Sequence, residues 1–440
     1  MKRSIIKHLE IWKHELKRKP LLVRGARQVG KTYAVRELGK SFPSFVEVNF
    51  EQKPELKAIF DHDLSPQRMI RALDIALAKE IVPGKTLLFF DEIQEAPQAL
   101  TALRYFYEQM PELHVIAAGS LIEFAIQQFG IPVGRVESLY MYPMSFIEFL
   151  IAKGEHSLVE ELGDYSRMKT LLATIHQKCL SLLGEYFFVG GLPEALATWV
   201  SGEDIRETAR VHQTLIDTYR QDFSKYMNKA QLKHVRLIFD RIPLLTAKKF
   251  KYSSISDSLR KREVEPCLDA LVRAGVVHKI LHTSAQALPL GAQATPDLFK
   301  AMLLDIALSQ TVLGKGSEKW LLGIEEQLIN RGEVVESFVG QELLAYSDPH
   351  MPGQLYYWHN EKASSKAELD YVCASENGVL PIEVKSGHSR RLKSLHQFLQ
   401  THRSSTLGLR FYSGVFTEDE PIQSYPLYAI SAAMGRHHIL

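Results

Sequence analysis

The chain has 440 residues, too many for one ordinary hydrophobic core, with 45% hydrophobic and 24% charged residues, the balance of a globular protein of two to four domains. A formal net charge of +2 excludes a uniformly basic nucleic-acid binder, so any such affinity must come from local patches. Cys179, Cys267 and Cys373 lie far apart with no CxxC pair, which argues against a disulfide framework or cysteine zinc site and fits a reducing cytoplasm. The charged start (Lys2, Arg3, Lys7) has no apolar segment of secretory type behind it. No run of about 18 apolar residues is present to span a membrane.

Ile5, Ile6, Leu9, Trp12 and Leu16 recur at helical spacing and predict an amphipathic lead-in helix. The apolar run Leu21 to Val23 reads as a buried strand, and Tyr33 to Leu38 as the start of a helix. Between them stands Gly25-x-x-x-x-Gly30-Lys31-Thr32, the pattern of a phosphate-binding loop. Glycines let the backbone wrap so that consecutive N–H groups, those around Gln28 and Val29 included, point inward at an anion. The following helix adds its positive N-terminal end. Lys31 would reach the β- and γ-phosphates of ATP, and the Thr32 hydroxyl would hold Mg²⁺.

Ser44 to Phe50 alternates as a second strand, and residues 66 to 80 read as a helix ended by Pro83-Gly84. Thr86 to Phe90 is a buried parallel strand that delivers Asp91 and Glu92 at its C-terminal end, the edge where ligands sit in such sheets. Asp91 would bind Mg²⁺ through water, and Glu92 would orient and deprotonate the attacking water. His114 to Ser120 is a further buried strand. If it lies between the strands carrying the two motifs, Ser120 would touch the γ-phosphate or the water; otherwise it is a helix N-cap. Arg135 precedes the strand Val136 to Tyr142, either as a finger completing a neighbouring subunit's site in a homo-oligomer or as a surface arginine.

The stretches Gly-Ala-Arg-Gln-Val-Gly-Lys-Thr, Phe-Phe-Asp-Glu-Ile-Gln, Ala-Gly-Ser-Leu and Gly-Arg-Val, followed by Tyr-Pro-Met-Ser-Phe-Ile-Glu-Phe-Leu, resemble the prokaryotic AAA-type ATP-binding proteins. The resemblance runs over nearly the whole chain. It implies a P-loop ATPase of the additional-strand, catalytic-glutamate division, with a C-terminal domain of restriction-endonuclease-like type.

Residues 158 to 228 are helical in pattern, broken at Val189-Gly190-Gly191-Leu192-Pro193, and Arg220 is a candidate second sensor arginine. Residues 229 to 262 hold ten Lys/Arg against Asp240 and Asp257. Helix, turn, second helix and the Gly-led strand from Val276 to Leu281 read as a winged helix-turn-helix, either a DNA-contacting module or a structural connector.

Toward the C-terminus, residues 336 to 344 predict a helix bearing Glu342, and Gln354 to His359 a strand. Ala367 to Cys373 and Leu380 to Lys385 alternate, which puts Glu383 and Lys385 on one face of a strand and, if the two pair as a hairpin, Asp370 on its neighbour with a similar orientation. An acid, about a dozen residues, then Glu-x-Lys resembles the PD-(D/E)xK nuclease superfamily, although Leu369 stands where its proline does. The chemistry would take Asp370, Glu383 and Glu342 as Mg²⁺ ligands and Lys385 to position the water. An amphipathic strand with solvated Glu and Lys is the alternative. Arg390, Arg391 and Lys393 follow on a basic helix, a seat for a phosphate backbone or a merely solvated face.

The expected whole is a multidomain α/β protein: P-loop ATPase with parallel sheet (1–150), helical segment (151–230), winged helix-turn-helix (231–320) and restriction-endonuclease-like domain (325–440). The expected function is ATP-dependent action on nucleic acid, DNA foremost, with a nucleotide-regulated nuclease as its specific form. The alternative is an ATP-dependent switch or scaffold that binds partners without cutting.

Overall fold

The computed structural model describes residues 1–360, 367–387 and 392–437. Two sheets organise them. The first is parallel throughout, built from β1 (Leu21–Arg24), β2 (Ser44–Asn49), β3 (Thr86–Asp91), β4 (His114–Ala118) and β5 (Glu137–Tyr140) in the order β2-β3-β4-β1-β5. Every residue of β3 and β4 is buried, as parallel strands covered on both faces must be. The period of two divides the strands between two cores. Leu21, Val23, Leu87, Phe89, Ile116 and Ala118 join the lead helix Ile5–His14 through Leu9 and Trp12. Leu22, Val46, Val48, Leu88, Phe90 and Val115 pack with the helices Pro66–Leu77 and Pro97–Gln109 through Met69, Leu73, Leu100 and Phe106.

The middle is helical. Asp204 caps the 22-residue helix Ile205–Tyr226 by accepting from the N–H groups of Arg206 (2.8 Å) and Glu207 (3.0 Å). Asn228 caps the next helix, Lys229–Leu245, through Gln231 N–H at 2.9 Å. After the helix Lys261–Arg273 comes the hairpin of β6 (Val277–Thr283) and β7 (Ala294–Leu303).

This hairpin departs from the expected wing of a separate module. β6 pairs in parallel with β8 (Leu355–His359), so both hairpin strands extend the C-terminal sheet. That sheet adds β9 (Glu368–Ser375), β10 (Gly378–Lys385), β11 (Gly408–Tyr412), β12 (Thr417–Asp419) and β13 (Ile422–Pro426) in the order β12-β13-β11-β10-β9-β8-β6-β7. The boundary drawn between 320 and 325 is therefore crossed by strand pairing. One buried apolar cluster also runs from Leu21 through Tyr186, Phe239, Leu268 and Phe338 to Met434, which ties the ATPase sheet, the helices and the second sheet together. Among the described residues no helix is long and apolar enough to cross a membrane.

Candidate functional site

β1 runs directly into the loop. Gly25 has φ 140°, and a Cβ there would overlap the Met141 carbonyl, so the tight turn out of β1 requires glycine. Gly30, at φ 94°, opens the helix Lys31–Gly39. A Cβ at Gly30 would sit 3.3 Å from the Pro193 ring and 3.5 Å from Arg3 Nη1, because both pack against the loop. Arg3 is buried and donates to Val29 O (2.5 Å), Tyr142 O (2.8 Å) and Glu148 (3.0 Å). Lys31 is buried as well, and its Nζ donates to Gly25 O (2.9 Å) and Ala26 O (2.8 Å). Burial lowers its pKa to about 8 against the opposing pull of Glu92 and Asp91.

The acids at the end of β3 face this loop. Thr32 Oγ1 lies 3.2 Å from both Asp91 carboxylate oxygens, and Asn49 Nδ2 donates to Asp91 Oδ2 at 3.2 Å. Burial, then the charges of Glu92 and Glu47, push Asp91 up to about 6. A hydroxyl beside an under-compensated carboxylate is a donor set suited to a hard divalent cation. Glu92 adopts the left-handed conformation (φ 51°), and its Oε2 accepts from Gln94 Nε2 (2.6 Å) and Ser120 Oγ (3.4 Å). β4 lies between β3 and β1, the condition under which Ser120 stands between the acids and the loop.

The helix Ile205–Tyr226 grips the loop from outside. Arg27 Nη1 donates to both oxygens of Asp222 (2.7 and 2.8 Å), and Tyr219 Oη donates to Arg27 O at 2.6 Å. Arg220 is not at the loop. Tyr219, Asp222 and Phe223 share the inner face at helical spacing, whereas Arg220 points about 100° away and pairs with Asp240 at 2.7 Å. Arg135 is exposed and bonded to Glu108 at 2.9 Å. It precedes β5, whose first residue Glu137 pairs with Leu21 at the start of β1, so it lies at the sheet edge opposite Gly25. The loop also touches the other half of the molecule: a Cβ at Gly275 would lie 3.2 Å from Ala26, beside a cavity of about 470 Å³ lined by Gly25, Ala26, Ser120, Arg273 and Lys279.

A second group of charges lies on the other sheet. β9 and β10 pair antiparallel with Ile382 against Tyr371, and the next step of that register sets Glu383 against Asp370. Asp370 Oδ2 accepts the Val384 N–H at 2.7 Å, and the Lys385 ammonium pairs with Glu383 Oε1. Glu383 Oε2 is buried with no hydrogen-bond partner among the described residues. Lys300 of β7, itself buried, bridges Glu336 (2.9 Å) and Glu368 (2.7 Å). Burial and Asp370 raise Glu336 to about 8 and Glu383 to about 7, and burial raises Asp370.

Glu342 does not join them. It accepts the Phe146 N–H at 2.9 Å, and burial raises it to about 8 in a pocket shared with Tyr186 and Tyr346. Six residues turn a helix by about 240°, so Glu336 and Glu342 cannot face one site, and it is Glu336 that meets Asp370. That spacing was readable in the sequence. Lys300, from a distant strand, left no such signal. Among the described residues no three His, Cys, Asp or Glu side chains converge as a metal-holding group, so the expected trio of Glu342, Asp370 and Glu383 is not formed. Arg390 and Arg391 lie outside the described residues; Lys393 opens the helix Lys393–Thr401 and is exposed.

Residues 17–150 match the family model of an AAA domain. Residues 180–319 and 331–426 match two domains of unknown function (DUF8612 and DUF4143). No curated protein matches the chain. Similar solved structures include the Walker-type ATPase PABY2304 of Pyrococcus abyssi, at 14% identity over 70% of this chain and 94% of that one, with a TM-score of 0.44. The Aeropyrum pernix ORC1 protein in complex with DNA gives 13% identity over 72% and 92%, with a TM-score of 0.27. Residues 17–150 thus match an AAA domain, and the parallel sheet that delivers the phosphate-binding-loop pattern at the end of β1 is the α/β fold of a P-loop ATPase domain.

Proposed function

We propose that the chain couples ATP hydrolysis to action on nucleic acid. In this reading the backbone of Gly25, Gln28, Val29 and Gly30 cradles the phosphates and Lys31 contacts the β- and γ-phosphates. Thr32 and, through water, Asp91 would hold Mg²⁺, which would supply charge neutralisation at those phosphates. Glu92 takes the proton of the attacking water, and Ser120 holds the γ-phosphate or that water. Arg135 acts only in a neighbouring subunit's site, because its own loop is at the far edge of the sheet.

One face of the second sheet carries the nucleic-acid part of the reading. The parallel register sets Glu383, Arg410 and Ser424 side by side, and Lys385 beside Tyr412. Arg410 stacks over Tyr412 at 3.9 Å and lines a cavity of about 910 Å³ with His396 and Thr417. A cation and an aromatic ring in a cavity next to paired acids suit a phosphodiester chain. Asp370 and Glu383 are the residues that would hold a divalent cation there, and Lys385 the one that would orient a water. The test is incubation of the protein with plasmid and single-stranded DNA, with Mg²⁺ or Mn²⁺, with and without ATP. Cleavage or retention of DNA that Asp370→Asn and Glu383→Gln reduce supports the reading; neither cleavage nor binding under any condition sinks it.

A second reading, an ATP-dependent switch or scaffold without cleavage, is favoured by a different observation. Lys300 and Lys385 already pair with three of the four acids there. Metal-independent DNA retention with no cutting is its signature.

A further inference from the structure

Glu92 has a neighbour whose amide is fixed in place. Beyond Glu92 the chain turns through the short 3-10 turn Ile93–Glu95, which carries the Gln94 side chain back over the Glu92 carboxylate. Gln94 Nε2 donates to Glu92 Oε2 at 2.6 Å, the oxygen that also faces Ser120 Oγ at 3.4 Å. The other end of the amide, Gln94 Oε1, is buried without a hydrogen-bond partner among the described residues. It rests on Gly119, where a Cβ would overlap it. The amide is thus held at both ends, its nitrogen by the Glu92 carboxylate and its oxygen against the Gly119 backbone.

Resting on the reading above that Glu92 is the base, we infer that Gln94 is a positioning residue for ATP hydrolysis. By bonding one carboxylate oxygen of Glu92 it turns the other toward the water beside the γ-phosphate, and glycine at 119 leaves room for the amide to do so. Without the bond the carboxylate rotates freely about a terminal torsion that is broad by nature. The base is then correctly charged but poorly aimed, and misplacement of a reacting group lowers the rate without changing substrate affinity.

The test uses Gln94→Met, which keeps the length and bulk of the side chain and removes the donor, beside Gln94→Ala. Both should lower kcat roughly 10- to 100-fold while KM and the affinity for a fluorescent ATP analogue stay within about twofold of the parent. Combining Gln94→Met with Glu92→Gln should cost no more than Glu92→Gln alone, since an aiming residue has nothing left to aim. An unchanged or raised kcat in Gln94→Met overturns the inference. So does a further loss in the double variant, or weakened nucleotide binding together with a lowered Tm, which marks a merely structural role.

Discussion

Glu342 shows how a single side chain can be legible in kind and wrong in place. Its helix, Gly332–Ala345, is buried nearly all round, so amphipathic pattern offers no guide to which acid faces which sheet. The carboxyl instead sits among Phe146, Tyr186 and Tyr346, where burial raises it to about 8. Its folded pKa is above the ordinary value of 4.5, so the folded chain holds the proton more tightly than the unfolded chain does. The stability this contributes is complete below the unfolded value and is lost as pH rises through about 8. Glu342→Gln, neutral at every pH, should be more stable relative to wild type at pH 8.5 than at pH 5.5, by at least roughly 2 °C in Tm. Parallel Tm profiles for the two proteins across that range would remove the argument. The loop residues were legible for the opposite reason. Their backbone geometry can be built only from particular residues, and Gly25 against the Met141 carbonyl leaves no alternative.

At the scale of elements, the parallel strands and their order of motifs could be read from continuous apolar runs, and each predicted strand of the first sheet is present within two residues. The condition set for Ser120, a strand between β3 and β1, is met, although strand order is a long-range property that residue pattern does not encode. The hairpin β6–β7 joins the C-terminal sheet through β8, a long-range pairing that local pattern cannot distinguish from a free wing. The clamp helix Ile205–Tyr226 supplies a further expected outcome. Asp222 is nearly buried and bonds Arg27 through both oxygens, whereas Arg220 makes a half-exposed pair with Asp240. Asp222→Ala should therefore destabilise the chain by about 2 kcal/mol, and Arg220→Ala by less than about 1 kcal/mol. Urea denaturation followed by circular dichroism checks the ranking, and the reverse order would relocate the clamp.

At the scale of the whole molecule, contacts connect the loop to the second sheet. Ala26 meets Gly275, Pro193 meets Gly30, and Asp305 accepts the Gly191 N–H at 2.7 Å. These give the nucleotide site a packed route to β6 and β7, and through Lys300 to the acids around Asp370. Whether sites are also shared between molecules rests on Arg135, exposed at the edge away from its own loop. If it works in a neighbour's site, ATPase activity per chain rises with protein concentration. Mixed Arg135→Ala and Glu92→Gln proteins then recover part of the lost turnover, since some shared sites combine intact residues. A rate per chain that stays flat as concentration rises, or an Arg135→Ala variant with normal turnover, assigns the arginine to its pair with Glu108 alone.

The central claim is that turnover occurs at this loop with Glu92 as the base, and binding and hydrolysis measured side by side in one variant test it most directly. Nucleotide affinity and steady-state phosphate release should be compared for wild type, Lys31→Ala and Glu92→Gln at matched protein concentration. Lys31→Ala should lose affinity if its ammonium, bonded here to Gly25 O and Ala26 O, is the group that binds the phosphates. Glu92→Gln should bind ATP as wild type does and lose turnover by about 10²-fold or more, the scale of a missing general base. Full turnover in Glu92→Gln would contradict the account.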